Sequence, residues 1–161
     1  MKLGAALLSI AALTMSVPSA SAQAKPNFAA KWTVVADPNA PPPGVRGMRG
    51  LGQEATIMQN GSTLAVVRSG PYGDIKSVYN LDGSDSKNTL NIGGNSIDQM
   101  SKAKWDGDKL VITTTTNFGG NALETTQVLS LDASGSLIVD TTSPGRGGVA
   151  PTTTKMTYKR G

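Results

Sequence analysis

The chain has 161 residues and a formal net charge of +4, with no cysteine and no histidine. That excludes a disulfide framework, a thiol nucleophile, a Ser-His-Asp triad and the ordinary zinc and copper sites. The length suits one domain large enough to bury its own core, and a modest positive charge favours anionic partners without naming one.

The chain opens with Met1-Lys2, a mostly apolar run over 3–17 and then Ser19-Ala20-Ser21-Ala22. A basic start, an apolar stretch shorter than the about 20 residues of a membrane helix, and a small-residue cleavage site together make a secretory signal peptide. Residues 1–22 are therefore expected to be removed on export, leaving 23–161 as one domain, periplasmic or secreted. No later run is apolar enough to suggest a membrane-spanning segment.

From Lys31 onward, short β-like runs alternate with turn chemistry and no helical period appears. The runs are 32–35, 55–58, 63–67, 75–81, 88–92, 97–105, 109–116, 123–131, 136–142 and 152–159. Asn60-Gly61, Asp82-Gly83, Gly93-Gly94 and Asp106-Gly107 mark tight turns between them. The long connection 37–52 contains Pro41-Pro42-Pro43-Gly44-Val45-Arg46-Gly47-Met48-Arg49, and Pro144-Gly145-Arg146-Gly147 forms a smaller version of it. Arg46 and Arg49 are too few for an arginine-glycine tail that binds nucleic acid through many phosphate contacts, so no nucleic-acid partner is expected. The segment reads as a loop at the rim, with Arg46, Arg49 and Arg146 as candidate contacts for an anionic ligand or an envelope surface.

About ten strands joined by tight turns make an up-and-down meander, and closing it into an antiparallel barrel of about 8–10 strands hides its edges. A β-sandwich would show the same alternation and is the alternative fold. An outer-membrane barrel is disfavoured, because two tryptophans, three tyrosines and two phenylalanines cannot supply two aromatic girdles. Only Glu54 and Glu124 are glutamates, and most aspartates stand beside glycine or serine in turns, where they cap backbone. No convincing carboxylate pair, metal-ligand cluster or cofactor motif is present. Neither a catalytic residue, a metal nor a cofactor is expected.

Phe28-Ala-Ala-Lys-Trp32-Thr-Val resembles the opening F-x-G-x-W strand of lipocalins and fatty-acid-binding proteins, with Ala30 in place of the glycine. Thr157-Tyr158-Lys159-Arg160 resembles their closing strand, where a basic side chain lies across that tryptophan. Tyr79-Asn-Leu-Asp-Gly83, Lys102-Ala-Lys-Trp-Asp-Gly-Asp-Lys-Leu-Val-Ile112, Ser130-Leu-Asp-Ala-Ser-Gly135 and Thr152-Thr-Thr-Lys-Met-Thr-Tyr-Lys159 are similar to phrases of small exported bacterial lipocalin-like proteins. The resemblance implies a calycin-type barrel. Fatty-acid binding does not carry over: the helical lid of the cellular binders is replaced by 37–52, and their carboxylate-binding Arg-x-Tyr falls on Met156-Thr157-Tyr158.

Alternation nominates the lumen lining. Trp32, Val34, Leu64, Val66, Tyr79, Leu81, Trp105, Leu110, Ile112, Leu129, Leu137, Val139 and Tyr158 share faces with Arg68, Ser77, Thr114, Thr116 and Gln127. Within 109–116 the face begins apolar and ends polar. The candidate lumen ligands to a bound molecule are Trp32, Arg68, Tyr79, Trp105, Thr114, Gln127 and Tyr158, with Arg68 poised to fork a carboxylate or phosphate. The expected function is a non-enzymatic carrier or sensor of a small amphipathic, hydrophobic or anionic molecule. The alternative is a cell-envelope interaction protein acting through its surface and arginine-glycine loops; an aspartate hydrolase is the third hypothesis.

Overall fold

The computed structural model describes residues 24–35, 50–70, 73–92, 94–118, 120–145 and 149–161. The expected signal peptide, most of the 37–52 segment and the loop candidates Arg46, Arg49 and Arg146 lie outside these. The described chain forms ten strands: β1 (Ala30–Val34), β2 (Glu54–Gln59), β3 (Thr63–Gly70), β4 (Gly73–Asn80), β5 (Asp85–Ile92), β6 (Asn95–Asp106), β7 (Lys109–Phe118), β8 (Asn121–Leu131), β9 (Leu137–Ser143) and β10 (Thr152–Arg160). They make one antiparallel sheet in the order β4-β3-β2-β1-β10-β9-β8-β7-β6-β5. The up-and-down meander curls until β1 pairs with β10, giving a nearly closed barrel of the lipocalin and fatty-acid-binding type. It is not a sandwich: one continuous ladder runs from β4 round to β5.

The strands follow the expected runs, with one instructive difference. β5 begins at Asp85, where Asp-Ser-Lys looks like the end of a turn. Asp85, Ser86 and Lys87 nevertheless pair with Lys102, Ser101 and Met100 of β6, and Lys102 and Lys87 reach Asp85 and Asp98 across the strands at 3.5 and 3.1 Å. Cross-strand pairing overrides the low strand preference of these residues. Both ion pairs are exposed, so their contribution is small.

Turn chemistry sets the register. Asn60 Oδ1 accepts the backbone N–H groups of Ser62 (2.9 Å) and Thr63 (2.7 Å), closing the β2–β3 hairpin. Asp132 Oδ1 does the same for Ser134 and Ser136, both at 2.9 Å, between β8 and β9. Hydrogen bonds from Ser134 and Ser136 hold the Asp132 carboxyl below the ordinary carboxylate range, and those from Ser84 do the same for Asp82. These aspartates act as backbone caps.

The seam between β4 and β5 carries no backbone ladder and is closed by side chains. Asn88, buried on the inner face of β5, grips Val78 of β4 at both ends: its Oδ1 accepts the Val78 N–H (2.8 Å) and its Nδ2 donates to the Val78 carbonyl (3.0 Å). Ser86 Oγ accepts the Asn80 N–H (2.8 Å), and Asn80 Nδ2 donates to the Asp85 carbonyl (3.1 Å). The Asn88 carboxamide thus presents one acceptor and one donor, as a backbone peptide would, and satisfies groups that an open edge would leave unpaired.

The lower end is shut by the segment before β1. Phe28 is fully buried; its N–H donates to Gln59 Oε1 (2.9 Å), while Gln59 Nε2 donates to the Pro26 carbonyl (3.0 Å). Trp32 Nε1 donates to the Phe28 carbonyl (2.8 Å), the Phe28 ring stacks on Trp105 at 5.8 Å, and Arg160 lies over Trp32 at 5.2 Å. The last contact is the tryptophan–basic pairing that the terminal strands imply.

Among the described residues no helix is long and apolar enough to cross a membrane.

Asn88→Ala is expected to lower stability by about 1–2 kcal/mol, the range for stranding hydrogen-bonding groups at a partly buried seam, and to speed hydrogen exchange at the Val78 amide. Unchanged protection at Val78 would show that the seam is held by other means. A second expectation follows from the turn aspartates. Their lowered native pKa values stabilise the fold above the ordinary carboxylate range, and this contribution is lost as pH falls through the lowered values. Asp132→Asn should flatten the acid limb of the stability–pH curve, measured by thermal melts from neutral to strongly acidic buffer.

Candidate functional site

The inner face changes character as the strands rise, and the ladder shows it row by row. Trp105, Leu110, Leu129, Val139 and Met156 stand opposite one another across five strands, an apolar row. The next row is Ala103, Ile112, Gln127, Thr141 and Thr154. Above it come Ser101, Thr114 and Thr125, then Gln99 and Thr116. Because each strand's inward residues are two apart, the positions at which apolar gives way to polar can be read on each of these strands, and together they mark a plane that divides the interior.

Below that plane the lumen is filled. Trp32, Leu64, Leu110, Leu129, Leu137, Val139 and Tyr158 are completely buried, and they pack with Phe28, Ile57 and Ile112 as one cluster. Small barrels close their interiors in this way. The returning end of the rim segment completes the filling. Leu51 is 3% exposed and joins the cluster; its N–H donates to the Tyr158 hydroxyl (2.9 Å), and the Gly50 carbonyl accepts from Gln127 Nε2 (3.2 Å). Gly50 has φ of +66°, and a Cβ there would stand 2.7 Å from Met156 Sδ and 2.8 Å from the Tyr158 hydroxyl. Glycine is required at this place for both conformation and space. Burial pushes the Tyr158 hydroxyl pKa up, against the opposing pull of the Leu51 N–H and the Arg68 charge.

Above the plane a chamber of about 160 Å³ remains, lined by Arg68, Tyr79, Gln99, Thr114, Thr116, Thr125, Gln127, Thr141 and Ser143. Arg68 projects inward from β3, between Ala55 of β2 and Ile75 of β4, and is half-buried. No described carboxylate pairs with it; the described ion pairs are Lys31–Glu54, Lys87–Asp98 and Lys102–Asp85. Thr141 Oγ1 is buried without a hydrogen-bond partner. Elsewhere the lining is internally braced: Gln99 Nε2 donates to Thr116 Oγ1 (2.8 Å), and the Ser101 and Thr114 hydroxyls meet at 2.9 Å.

A larger hollow of about 410 Å³ at the opposite end is lined by Lys25, Asn27, Gln59, Asn60, Gly61, Leu81 and Trp105. Its polar walls are largely exposed turn and N-terminal residues. Its cation is engaged, Lys25 lying over the Trp105 ring at 5.4 Å and donating to the Gly107 carbonyl at 3.1 Å. It is an open surface groove between well-satisfied groups, so the smaller polar chamber is the better candidate.

Of the lumen candidates from the sequence, Arg68, Tyr79, Thr114 and Gln127 come together in the chamber. Trp32, Trp105 and Tyr158 stand apart from it, in or beneath the filled floor, with Tyr158 forming the boundary. Gln99, Thr125, Thr141 and Ser143 were not singled out, although alternation reaches them: Gln99 shares a face with Trp105, Thr125 with Leu129, and Thr141 with Val139. Among the described residues no three His, Cys, Asp or Glu side chains gather as a metal site would require. Comparison with known proteins finds no family model that matches this chain and no matching curated protein.

Tyr158→Phe removes the acceptor of the buried Leu51 N–H, and a loss of about 1–3 kcal/mol is expected from the stranded donor. Chemical denaturation measures it, and faster hydrogen exchange at Leu51 should accompany it. An unchanged exchange rate would mean that Leu51 is held by packing alone.

Proposed function

We propose that this chain is an exported, non-enzymatic binding protein that carries or senses a small anionic molecule in the upper chamber of its barrel. The observation that carries the reading is Arg68, an inward guanidinium beside a polar cavity with no described carboxylate to pair with it. Taking a guanidinium part-way out of water is unfavourable unless a partner accepts its hydrogen bonds, and a carboxylate or phosphate accepts them in a forked pair. The filled floor favours the anionic over the hydrophobic ligand: an alkyl tail would have to displace fully buried side chains.

Export rests on the basic, apolar and small-residue segments of residues 1–22, and accords with the resemblance to small exported bacterial lipocalin-like proteins. The non-enzymatic reading is supported by the described lining of the chamber, which brings a cation, hydroxyls and carboxamides to the cavity and, among the described residues, neither a carboxylate nor a nucleophile–base pair. The aspartates that depart from ordinary acidity are lowered by turn and cross-strand partners, opposite to the raised value a general acid needs.

Native mass spectrometry of protein purified gently from its own cells, compared with the denatured sample, tests the reading. The expected result is an extra mass that leaves on denaturation and is reduced at least tenfold in occupancy by Arg68→Ala. A retained mass indifferent to Arg68→Ala would remove the chamber from the site. A bare chain whose capture of an envelope partner depends on residues 45–52 would replace the reading with the surface-interaction one.

A further inference from the structure

The chamber's hydrogen-bonding groups specify more than a negative charge. We infer that its ligand is a small hydroxyl-bearing carboxylic acid, a monoanion of a few carbons such as a sugar acid, rather than a fatty acid or inorganic phosphate. This rests on the binding function proposed for the chamber.

Three observations lead there. The first is size: about 160 Å³ lies below the roughly 300–1,000 Å³ of pockets that enclose drug-sized ligands, and the apolar space beneath is already filled by Leu51, Tyr158 and the core around them. The second is charge. Arg68 is the only charged residue among the described lining, so a single negative charge balances the site, whereas a dianion would remain half-compensated.

The third is the balance of donors and acceptors. Gln99 and Gln127 each spend one of their two amide N–H groups on Thr116 Oγ1 and the Gly50 carbonyl, which leaves each carboxamide one N–H donor and a carbonyl oxygen to serve as acceptor. Thr141 Oγ1, within a residue only 5% exposed, has no partner and can both donate and accept. A carboxylate or phosphate offers mainly acceptors, which suit Arg68 but not the carboxamide oxygens. An alkyl chain offers neither donors nor acceptors, and would cover the Thr114, Thr116, Thr125 and Ser143 hydroxyls without replacing their water. A ligand that carries hydroxyls beside its carboxylate supplies donors to the amide oxygens and a partner to Thr141, while the carboxylate takes the guanidinium. Polar groups buried without partners discriminate strongly against a ligand that lacks the matching group.

The test is isothermal titration of the protein purified from its own cells with gluconate, hexanoate, sorbitol, inorganic phosphate and laurate. Wild type is compared with Arg68→Gln and Thr141→Val, each first shown by circular dichroism and thermal melting to be folded. Gluconate is expected to bind at least tenfold more tightly than hexanoate, sorbitol or phosphate. Arg68→Gln should weaken gluconate at least tenfold, and Thr141→Val several-fold with no effect on hexanoate. Hexanoate, laurate or phosphate binding as tightly as gluconate, and lost in Arg68→Gln, would overturn the ligand class while sustaining the chamber. Sorbitol binding equal to gluconate would overturn the requirement for charge. No binding by any of the five would overturn the hydroxy-acid assignment. A retained native ligand sensitive to Arg68 would then uphold the chamber alone, and its absence would bring down the binding function as well.

Discussion

The β4–β5 seam is the constraint on which the barrel depends. Ten antiparallel strands can be laddered pair by pair by local hairpins and by the β1–β10 pairing, but a sheet closed in this way still has to bring its first and last members together. Here those members are consecutive in the chain, joined by the short turn at Leu81–Ser84, and yet they do not ladder. Asn88 resolves the problem by behaving as a peptide group on a side chain, with its carbonyl and amide turned toward Val78. Because that carboxamide begins on the inner face and reaches sideways, the seam is closed from within and the outer faces of β4 and β5 stay free for Lys76 and Lys87. Closure in turn keeps Arg68, one strand from the seam, facing a bounded chamber.

The interior is then divided by a single buried hydroxyl. Tyr158 stands with its ring in the apolar cluster and its oxygen at the level where the inward residues turn to threonine, glutamine and arginine. Leu51 docks on that oxygen through its N–H, so a polar atom at the top of the apolar cluster seats the residue that caps it. Gly50 makes this possible, since its missing Cβ lets the backbone come down onto Met156 and Tyr158, and its carbonyl fixes Gln127 from above. The rim segment therefore contributes to the interior itself, completing the floor of the chamber whose walls the strands provide.

Much of this was legible in the sequence, for a definite reason. Tight turns such as Asn60-Gly61 and Asp106-Gly107 force consecutive strands to be antiparallel neighbours, and period-two alternation then assigns each inward side chain. Arg68, Tyr79, Thr114 and Gln127 emerge together from those two rules alone, as does the change from Leu110 and Ile112 to Thr114 and Thr116. The depth of the filled floor was not legible, because it depends on Leu51 returning from a Pro/Gly-rich connection that has no period to read. Asn88 was likewise hidden: asparagine is unfavourable in strands on average, and its use appears only when Val78, ten residues earlier, stands across an unladdered seam. The unpartnered Thr141 hydroxyl is a further property of three-dimensional packing that alternation can point toward but not reveal.

Packing alone does not account for Arg68. Its cross-strand neighbours on the inner face, Ala55 and Ile75, are apolar, and an aliphatic side chain would extend the core upward at no electrostatic cost. Arg160 shows what a structurally employed arginine looks like here, laid across Trp32 with its head at the surface. Arg68 has no such ring and no described carboxylate, while Tyr158 is near enough for the guanidinium to influence its ionisation. The ladder fixes the backbone of Arg68 on the barrel wall, and its side chain lines the chamber beside hydroxyls and carboxamides, an arrangement suited to receive the proposed anion. Binding of the proposed anion would then require little change in the barrel wall, and selectivity would come from the matched polar groups rather than from a large buried area.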